Sequence, residues 1–213
     1  MGDSDTIFIS EKNMKFILEY FQPRQKAFGR SEMILEKNIP EDRLCLLLKG
    51  TAYLCMENER GDKQLLDYFT GGRLLYHDML PGPESGHCFV QAKYPCVIAY
   101  LPGPELTEYI LKTEDRNLAT QFYGILRSTV SLSIEHCHIL QQKTIRGKLL
   151  AFLHAQRRQQ KSSTVHIPIP YSDLADYLSI DRSSLMTELS RMHEDGVIEK
   201  NTRRIVLKGN GPD

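Results

Sequence analysis

The sequence has no run approaching the roughly eighteen apolar residues of a membrane span, so no segment reads as a transmembrane helix. The opening stretch "MGDSDTIFIS" is acidic and lacks the basic and apolar regions of a secretory leader, which leads to the expectation of a cytoplasmic protein. Cysteine is sparse: Cys45, Cys55, Cys88, Cys96 and Cys137 are odd in number, scattered, and never spaced as C-x-x-C. That pattern argues against a disulfide framework and fits reduced thiols serving as small apolar core residues. A Gly-rich phosphate loop, H-E-x-x-H and G-x-S-x-G are all missing, which removes the common signatures of nucleotide, zinc-hydrolase and serine-hydrolase chemistry. The one catalytic arrangement left to weigh is a Cys88 thiol with His87 and a nearby Glu84 or Asp78, and adjacent residues rarely give a nucleophile and its base the geometry they need. A non-enzyme is expected.

What is present is a soluble, mixed composition. With 213 residues, 41% of them hydrophobic, the chain is long enough to bury a core and suits two modest domains. The formal charge is zero but unevenly spread: residues 141–213 hold twelve Lys and Arg against eight Asp and Glu, while residues 1–140 hold fifteen against nineteen. A basic C-terminal third hints at a polyanionic partner, and solvated helix faces would also account for it.

Residues 30–101 read as β structure. "LCLLLKGTAYLCMENERGDKQLLDYF" gives two apolar runs broken at Lys49-Gly50, a polar turn and a third run, and "CFVQAKYPCVIAYLP" adds two short strands around Tyr94-Pro95. Strands at this spacing make a small barrel or sandwich. Residues 105–141 change character, with apolar residues recurring every seven at Leu118, Ile125, Leu132 and Ile139, and Phe122, Thr129 and His136 four residues behind the first three. That is a long helix with a seam, which meets either a second copy of the chain or the β domain of its own chain. "IRGKLLAFLHAQRRQQK" is a further helix with Leu149, Leu150, Phe152 and Leu153 inward and Arg157, Arg158 and Lys161 at its end, where cations favour the helix dipole as well as any DNA. "VHIPIP" is a short strand, and "GVIEKNTRRIVLKG" a hairpin turning at Asn201-Thr202.

Between these last elements, "YSDLADYLSIDRSSLMTELSRMHEDGVI" reads as two amphipathic helices broken by "SIDR". Leu174 and Leu178 share a face of the first, and Leu185, Leu189 and Met192 a face of the second. Asp181 is placed to cap the second helix through its carboxylate. Arg182 follows the cap, with Ser183, Ser184 and Thr187 beside it. In a helix-turn-helix the first turn of the second helix enters the major groove, where an arginine can grip guanine O6 and N7 and hydroxyls can reach bases or phosphates. The alternative is a helical hairpin whose polar face is merely solvated.

Here the chain resembles a known family. "YSDLADYLSIDRSSLMTELSRMHEDGVIEKNTRRIVL" is similar to the winged helix-turn-helix of Crp/Fnr bacterial transcription regulators, and "LLLKGTAYLCMENERGDKQLLDYFTGG" resembles their cyclic-nucleotide-binding-like β-roll. The resemblance implies an α+β protein: a β-roll sensor of jelly-roll type over residues 1–112, a dimerisation helix over 113–141 and a winged helix-turn-helix over 142–213. It implies a homodimer on a two-fold DNA operator, with RNA polymerase as a possible further partner. Arg182, Ser183 and Thr187 fall at the positions that read bases, and the sequence departs there from the family's commonest pattern, a glutamate with an arginine four residues on. Lys143, Arg146, Ser172, Ser184, Arg203 and Arg204 are the candidate phosphate contacts. Ser179 stands where the turn usually has glycine.

The same resemblance bears on the effector. Cyclic-nucleotide members hold ribose and phosphate with a Gly-Glu and an Arg-Ser or Arg-Thr pair; here "GGRLLYHDML" puts Tyr76 and His77 at the first, and "PESGHCFVQAK" puts Gly86 and His87 at the second. Without the arginine a phosphate diester loses its bidentate donor. A cyclic nucleotide is not expected, and no cofactor or metal is required. An iron–sulfur cluster would need cysteines grouped near the N-terminus, whereas the first is Cys45. A pocket with Tyr76, His77, His87 and Cys88 is left for an unidentified small molecule, with haem or redox sensing through His77, His87 and Cys88 as the alternative.

Overall fold

The computed structural model describes residues 11–36, 43–75, 87–112 and 116–208. The chain divides into two compact units, Met1–Val130 and Ser131–Asp213.

The N-terminal unit is a roll of two four-stranded antiparallel sheets. One has the order β1 (Arg24–Phe28), β8 (Cys96–Pro102), β3 (Arg43–Lys49), β6 (Arg73–Leu75); the other has the order β2 (Met33–Glu36), β7 (His87–Ala92), β4 (Thr51–Glu57), β5 (Lys63–Thr70). Both sheets contribute to one core, with Cys45, Leu47 and Ile98 from the first and Leu35, Leu54, Phe69 and Val90 from the second. The near-continuous apolar run in β3 has a physical reason. Successive strand residues point to opposite faces, and β3 is covered on both. Cys45 and Leu47 enter the inter-sheet core, while Leu46 joins Ala99 and Leu101 of β8 beneath the helices.

Those helices are α1 (Glu11–Phe21), α2 (Gly103–Lys112) and the first half of α3 (Arg116–Leu140). Ile17, Leu106, Leu118 and Phe122 close the second core. Within the stretch 105–141, expected as a long helix with a seam, the described residues form two helical segments, α2 and α3. Leu106, Tyr109 and Ile110 of α2 and Leu118 and Phe122 of α3 turn their apolar sides to the same core. The sequence reading also passed over α1, whose Met14, Ile17, Leu18 and Phe21 recur at helical spacing. Gly50, between β3 and β4, shows why the expected turn glycines matter: φ is +96°, and a Cβ there would lie 2.2 Å from the Pro95 carbonyl oxygen.

The C-terminal unit takes the end of α3 and adds α4 (Ile145–Gln160), α5 (Tyr171–Tyr177), α6 (Arg182–Glu194) and a three-stranded sheet in the order β10 (Ile198–Asn201), β11 (Arg204–Leu207), β9 (Thr164–His166). Thr144 caps α4 by accepting from the Gly147 N–H at 3.0 Å. Helix α6 packs on α4, α5 and β10, and its Leu185, Leu189 and Met192 are fully buried. Cys45, Cys55, Cys88 and Cys96 are buried thiols, Cys137 is exposed, and none is in a disulfide.

Candidate nucleic-acid interface

Helices α5 and α6 meet at a tight turn. Leu178 ends α5, and Ser179 follows with φ +51°, a left-handed conformation that favours glycine. Lys148 of α4 secures this turn by donating through Nζ to the Leu178 carbonyl at 2.9 Å and, more loosely, to that of Ser179 at 3.4 Å. Asp181 occupies the N-cap of α6 with extended backbone, but its carboxylate makes no cap bond. The expected side-chain cap is thus corrected: backbone geometry starts the helix, with Leu185 N–H bonding the Asp181 carbonyl at 2.9 Å.

With Leu185, Leu189 and Met192 turned inward, the opposite side of α6 is polar and open. Arg182, Ser183 and Thr187 are exposed, and Ser184 is half-buried. Arg191 is also exposed, eight residues after Ser183 and four after Thr187, so it extends the same helical stripe; the sequence reading missed it although this spacing was there to be counted.

The hairpin of β10 and β11 turns at Thr202, where φ is +51°, and displays Arg203 and Arg204. Beyond the pairing of β11 with β9, two hydrogen bonds hold its turn. The Ile167 N–H donates to the Arg203 carbonyl at 2.8 Å, and the Tyr171 hydroxyl donates to the Thr202 carbonyl at 2.7 Å. Burial pushes the Tyr171 phenol above its ordinary range, against a smaller opposing pull from Arg203. Of the other expected phosphate contacts, Lys143 is exposed in the loop before α4, and Ser172 is half-buried and donates to Asp173 at 3.0 Å. Arg146 differs. Its Nε lies 2.5 Å from a Glu188 carboxylate oxygen, and a terminal nitrogen lies 2.6 Å from Asp195. The hydrogen bond to Glu188, followed by that to Asp195, raises the guanidinium further above its ordinary value.

The expected seam divides along its length. Leu118 and Phe122 are consumed by the N-terminal core and Ile139 is buried in the C-terminal unit, so these three are not available to a partner. Thr129 and Leu132 are partly buried, and the side chain of Ile125 lies outside the described residues. The physical reason is that α3 has a second stripe. Tyr123, Arg127, Val130, Ile134 and Cys137 alternate four and three residues apart and are all exposed, Tyr123 at 68%, Val130 at 58% and Ile134 at 65%.

The effector residues are less well gathered. Tyr76 and His77 lie outside the described residues. His87 and Cys88 are neighbours on β7, so they point to opposite faces: His87 is exposed with its ring 5.4 Å from Phe89, and Cys88 is buried. The two do not converge on one ligand. A cleft of about 520 Å³ opens elsewhere on the N-terminal unit, between Arg43 and Leu44 of β3 and Pro104, Thr107 and Leu111 of α2. Among the described residues no helix is long and apolar enough to cross a membrane, and no three His, Cys, Asp or Glu gather as a metal site.

Residues 147–209 match the model of the Crp-like helix-turn-helix domain. No curated protein sequence matches the chain. Solved structures do. FixK2 from Bradyrhizobium japonicum is 18% identical, with 88% of this chain and 93% of that one covered and a TM-score of 0.65. A CooA mutant from Carboxydothermus hydrogenoformans is 15% identical over 96% and 95%, with a TM-score of 0.74. CprK complexed with OCPA is 13% identical over 97% of each chain, with a TM-score of 0.72. At these identities the structural likeness is one of fold, and it spans both units.

Proposed function

We propose that the chain is a Crp/Fnr-type DNA-binding transcription regulator that binds a two-fold operator as a homodimer, a reading supported by the match of residues 147–209 to the Crp-like helix-turn-helix domain and by the fold shared with FixK2 and CooA. In this reading α6 enters the major groove, with Arg182, Ser183 and Thr187 at the bases and Lys143, Ser172, Ser184, Arg203 and Arg204 at phosphates. The observation that carries it is the division of α6 into a buried apolar side and an exposed side headed by Arg182. The pairing element is the exposed stripe of α3, Tyr123, Arg127, Val130, Ile134 and Cys137, whose four-three spacing suits a parallel partner helix. Two linked readers are what a two-fold site requires. The effector is a small molecule other than a cyclic nucleotide, or none, since neither the Gly-Glu nor the Arg-Ser pattern is present. Calorimetric titration with cyclic AMP is expected to show no heat of binding at submillimolar nucleotide, and micromolar binding would reject that part.

The test of the DNA assignment is a sequence selected from a random duplex pool, followed by single-base variants of it at two salt concentrations. Arg182→Ala is expected to cost about 1–3 kcal/mol and relax preference at one base pair, because a bidentate arginine discriminates between bases. Arg203→Ala is expected to weaken selected and random duplexes alike and to lower the salt slope by about one unit, because a phosphate contact releases counterions whatever the sequence. An Arg182→Ala protein with unchanged base preferences would overturn the recognition role of that residue.

A further inference from the structure

We propose that Arg146 is a positioning residue that fixes the recognition helix in register from α4, and not a phosphate contact; the proposal rests on the assignment of α6 as the DNA-reading helix. Its two carboxylate partners come from different points of the same helix. Glu188 is in the middle of α6, one residue after Thr187, and Asp195 is the C-cap. One guanidinium therefore holds α6 at its centre and at its end, through Nε at 2.5 Å and a terminal nitrogen at 2.6 Å. A planar fork holding two fixed acceptors sets direction as well as distance, which a lysine ammonium cannot reproduce.

Three observations separate this role from that of a phosphate ligand. The Glu188 side chain is only 13% exposed, so its charge is turned into the unit and faces Arg146. Two carboxylates against one cation leave the cluster with a net negative charge, which repels a phosphate where Arg203, Arg204 and Lys143 attract one. Finally, the same element holds the other half of the motif, since Lys148, two residues on, donates to the carbonyls that end α5. Helix α4 thus carries one cation for each helix of the motif, and Arg146 is the one that sets α6. A reading helix must be held to within a fraction of an ångström for bidentate base contacts to form, whereas attraction to the DNA backbone tolerates small rotations.

The experiment has two arms on the full chain. In the first, hydrogen exchange without DNA, Arg146→Gln is expected to speed exchange of the amides of residues 188–195 by roughly tenfold while β9 stays unchanged, with Arg146→Lys in between. In the second, binding is measured on the duplex selected by the wild type and on a random duplex across a salt series. Arg146→Gln and Glu188→Gln are each expected to lower affinity for the selected duplex by about tenfold, to leave random-duplex affinity within about twofold, and to leave the salt slope unaltered; the double variant is expected to lose little more than either alone. Equal losses on both duplexes with the slope lower by about one unit would make Arg146 a phosphate contact and overturn the proposal, as would unchanged exchange in residues 188–195. If the wild type enriches no sequence, the reading of α6 fails and not the mechanical role of Arg146, which the exchange arm decides by itself. Arg146→Lys retains the charge, so normal selected-duplex affinity in that variant also counts against a positioning fork.

Discussion

Replacing one residue on each stripe of α3 separates the side that folds the chain from the side proposed to meet a partner. Leu118 is 1% exposed and packs with Ile17, Leu106 and Phe122, so Leu118→Ala removes buried apolar surface and leaves a cavity. The expected cost is about 3 kcal/mol, a fall of about 10 °C in the melting temperature of the N-terminal unit. Ile134 is 65% exposed and contributes little to the fold of a single chain. Burying the exposed two-thirds of an isoleucine in a partner is worth about 1–2 kcal/mol, and the two-fold counts it twice. Ile134→Glu is therefore expected to raise the dimer dissociation constant roughly thirty- to several-hundred-fold, with the charge adding to the loss. Sedimentation velocity over a concentration series, with urea unfolding of the same samples, reads both quantities. The reasoning is refuted if Ile134→Glu sediments as the wild type does, or if Leu118→Ala yields stable monomers with an unchanged urea midpoint.

Ser179→Gly is expected to stabilise the C-terminal unit by up to about 1 kcal/mol, since glycine relieves the left-handed strain at φ +51° but gives back part of the gain in the unfolded chain, and Ser179→Val is expected to destabilise it; denaturant midpoints decide, and a glycine variant less stable than wild type would contradict the account. Burial first, then Arg158 and Arg157, lowers the pKa of His154 from its ordinary 6.5. The unfolded chain therefore binds the proton at a higher pH than the folded one, and the stabilising contribution of neutral His154 is present above 6.5 and is lost as pH falls through the folded value. Urea titrations between pH 7.5 and pH 5, taken in steps of about half a unit, are expected to show a shallower decline for His154→Gln, and an identical decline would remove His154 as the cause. Tyr171→Phe deletes the 2.7 Å hydrogen bond to the Thr202 carbonyl and is expected to cost about 1 kcal/mol, with faster amide exchange confined to the β10–β11 turn; exchange that rises elsewhere instead would argue against that anchor.

Much of the helix-turn-helix was legible in the residues themselves. Leu185, Leu189 and Met192 recur at helical spacing, so their burial follows, and with it the exposure of Arg182, Ser183 and Thr187. The hairpin turning at Asn201-Thr202 was legible from short-range signals, whereas Ser179 holds a left-handed turn that its residue type does not favour, so that turn was legible only through the family resemblance. The strands of the roll were legible from short-range signals: apolar runs of strand length broken by turn glycines such as Gly50.

Periodicity by itself says that a face is apolar but not what covers it, and α3 shows the consequence. Its two stripes both have heptad spacing, and only the packing of Leu118 and Phe122 against Ile17, Leu46 and Leu106 assigns one to the fold and leaves Tyr123, Val130 and Ile134 open. A charged side chain is equally ambiguous in sequence. Arg146 reads as one more basic residue of a basic segment until Glu188 and Asp195, more than forty residues away, are brought within hydrogen-bond distance. Local pattern determines which residues belong to a helix, a strand or a turn, because those energies act between near neighbours. The partner of an apolar face or of a buried charge is decided by contacts distant in sequence, and those exist only once the chain has folded.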